Sequence, residues 1–420
     1  MYIGKIIYYH RKNQNKTQKE LCKDICSITH LSKIENNSKE GNPKTLQLLF
    51  ERLGVTNEDE NKKILSLKQQ LDQFYDAIER LHRERAESLY KELIIHEEYI
   101  FCTEMIYIYK LYMLRYLLFL NNFSDFETVS VAMKKDITKY SPFERYLWDF
   151  IQAVYLGQKQ EYLQGLEILE PLEEMAEQSA EKITDYYYYR SVMHGSLKNH
   201  SLSIHFAYKA LSIFQNTGNT FRILHVKITL ALNLIYINEF EKAEKILIPI
   251  LSDVDLLQQW ETKAITLHNL GFLYYRKGEL DLATEYYWQS LHLKEKFSVS
   301  YYSTIIEIIQ IKIDLEQNEE AIKLLKQELG DFQDQKSPKY IELMVLYLQS
   351  NKNKKKLTKY LIKHGLPTME QNKNYLVAIK YADMIVSYYK EIGDLSSTNF
   401  YLHESNKLLK NLLLNTIEFE

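Results

Sequence analysis

Short apolar stretches with helical spacing follow one another through the first 55 residues. Ile3, Ile6 and Ile7 share one face of a helix that ends in the polar run 13–15. Thr17, with Glu20 three residues later, matches a capping box and predicts a second helix over about 18–23. The pattern therefore begins with two short helices separated by a polar turn.

A third helix is predicted from Ser27 to about Glu35. Its predicted apolar face consists of Ile28, Leu31 and Ile34. A fourth helix starts at Pro43, because proline suits the first helical position, and it stops at Gly54. The head of the chain is thus predicted as a bundle of four or five short helices.

The rest of the chain repeats one pattern of two helices. Its clearest copy has small residues at Gly271 and Ala283, a turn glycine at Gly278, and large gap-filling rings at Tyr274 and Tyr287. The small or central residue of the second helix recurs every 37 to 40 residues, at Gly165, Ser203, Ala243, Ala283, Ala321, about Thr358, and Thr398. In the copy before Ala243, Asn238 takes the place of the turn glycine.

Composition supports long helices with short connections. Only 12 Gly and 6 Pro occur in 420 residues, too few for many strands and tight hairpins. Charge is uneven: the net charge is −3, yet residues 1–50 carry nine Lys or Arg against four Asp or Glu. A basic head on an acidic body favours an anionic partner for the head.

The head resembles the helix-turn-helix family of phage repressors and Cro proteins. The matching residues are Arg11, the pairs Thr17-Gln18 and Glu20-Leu21, and the segment 31–36. The resemblance implies that the third helix enters the major groove of double-stranded DNA. The residues expected to contact DNA are Gln18, Ser27, Thr29, His30, Ser32 and Lys33. Arg11 and Glu35 match a structural pair of that family. A bundle that docks a protein instead of DNA is the alternative.

The repeats resemble the tetratricopeptide repeat, although their spacing exceeds the standard 34 residues. The resemblance implies an all-α fold in which the head is followed by a right-handed α-solenoid of about nine helix pairs. The predicted domains are a DNA-binding head at 1–58, a linker helix at 59–76, and a peptide-sensing repeat domain at 77–420. A helical solenoid of another family is the alternative.

The first helices of such repeats line a groove that binds extended peptides. Asparagine suits a peptide backbone because its amide both donates and accepts, and arginine suits a carboxylate. The residues predicted to contact a peptide are Asn233, Asn269, His268, Phe272, Tyr275, Arg276, Lys227 and Arg190. Ordinary packing between helices is the alternative for each of them.

The two modules together resemble the RRNPP family, the peptide-pheromone receptors of Gram-positive bacteria, and most of all its NprR type. The resemblance implies a cytoplasmic quorum-sensing transcription regulator that acts as a homodimer or higher oligomer and is controlled by a short signalling peptide. Two alternatives stay open. One is a phosphorelay regulator that binds a response regulator and promotes its dephosphorylation. The other is a phage-encoded regulator of peptide communication.

The sequence carries no phosphate loop, nucleotide fingerprint, paired-histidine metal spacing or serine elbow. It therefore predicts no catalytic residue, no metal site, no cofactor and no membrane partner. The phosphatase-promoting alternative depends on an amide that positions water, for which the candidates near Phe74 are Gln69, Gln70 and Gln73. A solvated helix is the competing interpretation of these glutamines.

Overall fold

The structure is a computed structural model that describes residues 3–178, 183–332 and 334–417. Throughout those ranges the regular elements are helices, so the all-α prediction is confirmed. The outermost residues of the predicted domains, 1–2 and 418–420, lie outside the described part. The helices are α1 (Ile3–Asn13), α2 (Gln18–Cys22), α3 (Ile28–Glu35), α4 (Pro43–Leu53), α5 (Asn57–Glu79), α6 (Arg83–Ile94), α7 (Glu97–Ile100), α8 (Ile106–Phe119), α9 (Phe123–Met133), α10 (Pro142–Gln158), α11 (Tyr162–Leu169), α12 (Glu173–Gln178), α13 (Tyr186–Ser196), α14 (His200–Asn216), α15 (Thr220–Tyr236), α16 (Phe240–Leu256), α17 (Trp260–Lys277), α18 (Leu280–His292), α19 (Val299–Asp314), α20 (Asn318–Asp331), α21 (Pro338–Ser350), α22 (Lys354–Tyr360), α23 (Leu366–Gln371), α24 (Tyr375–Glu391) and α25 (Leu395–Ile417).

Helices α1 to α4 form the head around a small apolar core. Helix α1 packs against α3 and α4, and α2 packs against α3. The side chains of Ile7, Leu21, Leu31 and Leu49 are fully buried there. As predicted, Pro43 opens α4, and Gly54 closes it in the left-handed conformation at a φ of 68°.

Nine helix pairs follow the head in the described ranges. Each pair turns through one residue with positive φ, and these residues are Leu81, Asn121, Gln160, Lys198, Asn238, Gly278, Glu316, Lys352 and Gly393. The predicted roles of Gly278 and Asn238 are confirmed. The first pair joins α5 to α6, which pack together. Helix α5 thus spans the segment predicted as a linker and continues to Glu79.

Small residues let the two helices of a pair approach closely. A Cβ added at Gly271 would lie 2.7 Å from the ring of Tyr287, which is itself fully buried. The predicted register residues of the second helices are all buried: Gly165, Ser203, Ala243, Ala283, Ala321, Thr358 and Thr398. The interval of 37 to 40 residues therefore marks the buried position at which the second helix of each pair packs against its neighbours.

The chain divides into two compact units. Unit 1 comprises residues 1–193 and 209–223, and unit 2 comprises residues 194–208 and 224–420. Within unit 1 lie the head and the first helix pairs. Within unit 2, α16 to α21 pack in chain order, each helix against the next, and α24 packs against α25. Contacts between chain neighbours are typical of a solenoid of repeats.

Candidate functional site

The second and third helices of the head begin at side-chain caps. Thr17 and Glu20 form the predicted capping box, and the Ser27 hydroxyl accepts a hydrogen bond from the His30 backbone N–H at 3.1 Å. Between these helices Asp24 adopts a φ of 59°. An aspartate can provide this left-handed turn residue because its short polar side chain tolerates the conformation.

A buried ion pair locks the third helix to the first. Arg11 donates from Nε to Glu35 Oε1 at 2.6 Å and from Nη2 to Oε2 at 2.9 Å, which confirms the predicted structural pair. The hydrogen bonds that Arg11 donates to Glu35 raise the pKa of Arg11. Gln18 Nε2 also donates to Glu35 Oε2, at 2.7 Å. The amide nitrogen of Gln18 is thereby bonded to the ion pair within the head.

The outer face of α3 carries the other predicted DNA contacts. Thr29 and Lys33 are exposed, and His30 and Ser32 are half-buried. Ser27 is exposed at the start of the helix. Ile28 is 47% exposed, so its predicted place in the apolar face is wrong. It occupies the first helical turn, beyond the reach of the core that covers Leu31 and Ile34.

The head rests on the body of unit 1 through a polar contact that the sequence did not reveal. His10 Nε2 lies 3.0 Å from Glu60 Oε1, and the Tyr99 hydroxyl donates to Glu60 Oε2 at 2.5 Å. Lys63 Nζ lies 3.7 Å from the centre of the Tyr99 ring. Burial opposes ionisation of Glu60, but the hydrogen bonds from His10 and Tyr99 outweigh it and lower the pKa of Glu60.

In unit 2 the two predicted asparagines differ in how their amides are used. Asn233 on α15 is buried, donates to the Thr229 carbonyl at 2.8 Å, and lies 2.8 Å from His200 Nδ1. Asn269 on α17 is also buried, but within the described part of the chain its amide makes no hydrogen bond. Asn269 is therefore the amide that retains capacity for a guest backbone.

Other predicted peptide contacts lie along α17 and meet its neighbours. His268 Nδ1 is 3.0 Å from Thr304 Oγ1, and the Tyr275 hydroxyl donates to Asp314 at 3.0 Å. Phe272 lies between the ring of Tyr236 and the guanidinium of Arg276. Arg276 also donates from Nη2 to Asn238 Oδ1 at 2.8 Å. The first helices of three successive pairs, α15, α17 and α19, thus present half-buried polar and aromatic groups side by side.

The remaining two predicted contacts occupy different settings. Lys227 is half-buried on α15 in unit 2. Arg190 belongs to unit 1, where it is buried and donates to Glu173 Oε2 at 2.9 Å. Of the glutamines considered for positioning water, Gln69 and Gln73 are exposed on α5 and Gln70 is half-buried.

Sequence reasoning missed the groups around Thr304. Lys294 is half-buried and donates from Nζ to Thr304 Oγ1 at 2.5 Å. Burial lowers the pKa of Lys294 to about 8. Burial, reinforced by the charges of Lys294 and Lys339, lowers the pKa of His268 to about 3, so this imidazole is neutral. His268, Lys294 and Thr304 form one cluster, the Thr304 centre.

Unit 1 contains a charge cluster of another kind. Arg115 and Arg222 both pair with Asp185, and all three side chains are at least 96% inaccessible. Glu79 accepts hydrogen bonds from the backbone and hydroxyl of Thr184 at 3.0 and 3.2 Å. Burial, together with the charge of Asp185, raises the pKa of Glu79. The two arginines of this cluster are therefore buried and paired within the fold.

Known proteins share both modules. Residues 7–59 match the family model described as Helix-turn-helix. The transcriptional activator NprA of Geobacillus stearothermophilus is 26% identical over 414 residues, which cover 93% of this chain and 98% of that one. The apo form of the quorum sensor NprR from B. thuringiensis superposes with a TM-score of 0.69 at 26% identity, covering 82% of this chain and 99% of that chain. These comparisons support the resemblance of the chain to the RRNPP family.

A second similar structure is that of NprR in complex with its cognate peptide NprX. It matches with a TM-score of 0.66 at 26% identity and covers 82% of this chain and 98% of that chain. Among the described residues, no helix is long and apolar enough to cross a membrane, and no three His, Cys, Asp or Glu side chains are grouped so that they could hold a metal ion.

Proposed function

We propose that this chain is a cytoplasmic transcription regulator that binds double-stranded DNA through α3 and is controlled by a short signalling peptide bound in unit 2. The observation that carries the proposal is the likeness to NprR, whose solved complex holds its cognate peptide. That likeness extends over 82% of the chain at 26% identity. The likeness to the transcriptional activator NprA supports the same function.

For DNA, the outer face of α3 offers groups suited to the major groove. Thr29 and Ser32 provide hydroxyls for base edges or phosphates, and Lys33 provides a positive charge. The ion pair between Arg11 and Glu35 fixes the angle of α3 against α1. A homodimer would place two such helices in successive major grooves, so we propose a two-fold symmetric operator.

For the peptide, α15, α17 and α19 offer adjacent polar groups. The unbonded amide of Asn269 would bind a backbone group of the guest, and Phe272 and Tyr275 would pack against its side chains. We propose that the bound peptide changes the arrangement of the helix pairs. The contact of His10 with Glu60 joins the head to α5, so a movement of α5 would reposition the head.

Selection from a pool of randomised DNA duplexes tests the DNA-binding role. We expect the full chain to enrich one motif present as an inverted repeat. Lys33→Ala should weaken binding to that motif and reduce the slope of log affinity against log salt by about one, because one phosphate contact is lost. Lys62→Ala is the matched control, since Lys62 is an exposed lysine on α5 that pairs with Glu58.

The control variant should bind as the wild type does. A chain that retains no duplex at low salt, or a Lys33→Ala variant that matches Lys62→Ala in both affinity and salt slope, would contradict the proposed use of α3.

A further inference from the structure

The charge of Lys294 has no counterpart in its surroundings. Its ammonium donates to the neutral hydroxyl of Thr304, and no carboxylate oxygen of any described residue lies within 4 Å of it. Several other half-buried lysines of unit 2 are paired. Lys277 contacts Glu244 and Glu279, Lys312 contacts Glu320, and Lys339 contacts Glu342. Lys227, which is also half-buried, shares with Lys294 the lack of a carboxylate partner among the described residues. Lys294 differs from Lys227 in that burial lowers its pKa and a buried hydroxyl holds its ammonium.

In the Thr304 centre, the free hydrogen-bond donors belong to Lys294. The Thr304 hydroxyl donates to the Ser300 carbonyl at 3.1 Å and its oxygen accepts from Lys294, while His268 Nδ1 lies 3.0 Å from the same oxygen. An ammonium has three donors, and Thr304 takes one of them. The other two donors of Lys294 remain for a group that is not part of the chain.

Neighbouring charges favour an anion at this point. Lys339 on α21 adds positive potential at His268, although it is paired with Glu342. Glu307 on α19 is the nearby acid, and burial raises its pKa, with Glu342 and Asp314 adding to the shift and Lys339 and Lys380 opposing it. A cation that is half out of water, without a counter-charge, would gain more from a bound carboxylate than an exposed lysine would.

We infer that Lys294, positioned by Thr304 and His268, anchors a carboxylate of the guest peptide and so determines its specificity. The inference rests on the proposed function, because it concerns the peptide site on α17 and α19. The carboxylate is either the carboxyl terminus of the peptide or an Asp or Glu side chain. The same donors serve both sources, and the probes described next separate them.

Three randomised pools of short peptides serve as probes for the immobilised full chain. The first pool has free carboxyl termini, the second has amidated termini, and the third has free termini but no Asp or Glu. Retained peptides are read by mass spectrometry. We expect the wild type to retain peptides from the first pool. The affinity should fall about tenfold or more in the second pool if the carboxyl terminus is anchored, or in the third pool if an Asp or Glu side chain is anchored.

Three variants connect that preference to Lys294. Lys294→Met should remove it and Lys294→Arg should restore it, because arginine keeps the positive charge. Lys312→Met is the matched control, since it removes a half-buried lysine whose partner is Glu320. The control should keep the wild-type preference. Circular dichroism of each variant verifies the helical fold before the pools are applied.

Two results would overturn the inference. One is a Lys294→Met chain that folds and keeps the wild-type preference. The other is a wild type that retains peptides of all three pools equally, which removes the anchor while the proposed function stands. If the wild type retains no peptide from any pool, both the anchor and the proposed peptide control are wrong.

Discussion

Two groups of charged side chains in the repeats differ in whether their cations contact a carboxylate of the fold. In unit 1, Arg115 and Arg222 both pair with Asp185, and Glu79 lies beside them, all four side chains being buried. In unit 2, the half-buried ammonium of Lys294 donates to a hydroxyl oxygen and has no carboxylate partner among the described residues. The first group is held by ion pairs within the fold, whereas the second has donors left for a ligand.

The difference shows how burial alone misleads as a guide to function. Arginines on a helical repeat are reasonable candidates for a peptide carboxylate, yet here Arg115 and Arg222 share a carboxylate of the fold. Removing one member of such a buried pair leaves a charge without compensation, which is costly. Removing a half-buried charge that has no counter-charge leaves no other charge without a partner.

The largest effect is expected for Asp185→Asn. The substitution leaves Arg115 and Arg222 without their shared carboxylate, and we expect a loss of about 3–5 kcal/mol in the free energy of unfolding. Urea unfolding followed by circular dichroism measures it. Asp149→Asn, which removes the partner of the exposed Arg145, should cost less than about 1 kcal/mol. Equal losses in the two variants would show that the buried cluster stabilises the fold no more than an exposed ion pair does.

A second matched pair lies in the head. Glu35→Gln removes the negative charge that faces Arg11 while keeping the shape of the side chain. We expect a local loss of about 2–3 kcal/mol, because two charge-assisted hydrogen bonds are weakened. Hydrogen exchange of the backbone amides of α1 and α3 measures this loss. Unchanged protection of those amides would show that the ion pair between Arg11 and Glu35 does not stabilise the head.

The next effect concerns pH and the neutral imidazole of unit 2. Folding lowers the pKa of His268 to about 3, so the folded state resists a proton that the unfolded chain takes up near its ordinary pKa. The stability associated with neutral His268 is present above about pH 6.5 and is lost as the pH falls toward 3. We expect a difference on the order of 1–2 kcal/mol at pH 5. Parallel stability curves from pH 7 to pH 5 for the wild type and His268→Asn would contradict it.

The smallest effect, and the one most specific to the comparison, is expected for Lys294→Met. Its free energy of unfolding should stay unchanged or rise by up to about 1 kcal/mol, because a poorly hydrated charge is replaced by an apolar chain of similar length. Thermal and urea unfolding at pH 7 measure it. A loss above about 2 kcal/mol would mean that Lys294 is a structural residue like Arg222.

Local sequence patterns predicted those parts of the fold that depend on neighbouring residues. The capping box of Thr17 and the left-handed turns at Gly54 and Gly278 follow from the preferences of single residues and are confirmed. The first helix pair was harder to recognise. Its turn residue is Leu81, which adopts a φ of 59° without being glycine, so α5 was predicted as a linker.

The sites required information from distant parts of the chain. Arg115 and Asp185 are 70 residues apart, and His268 and Thr304 are 36 apart. No local pattern reports whether such side chains meet. Arg11 and Glu35 were predictable because a known motif fixes the spacing of their helices, whereas Lys294 lies in a short segment after α18 that carries no motif.

The most direct test of the account is the affinity for DNA with and without a guest peptide. The duplex enriched by the full chain is labelled, and its binding is followed by fluorescence anisotropy in the presence and absence of the peptide best retained by unit 2. We predict that the peptide changes the affinity of the wild type at least severalfold and leaves that of Lys294→Met nearly unchanged at the same concentration. Equal DNA affinities of the wild type with and without a peptide shown to be bound would contradict peptide control.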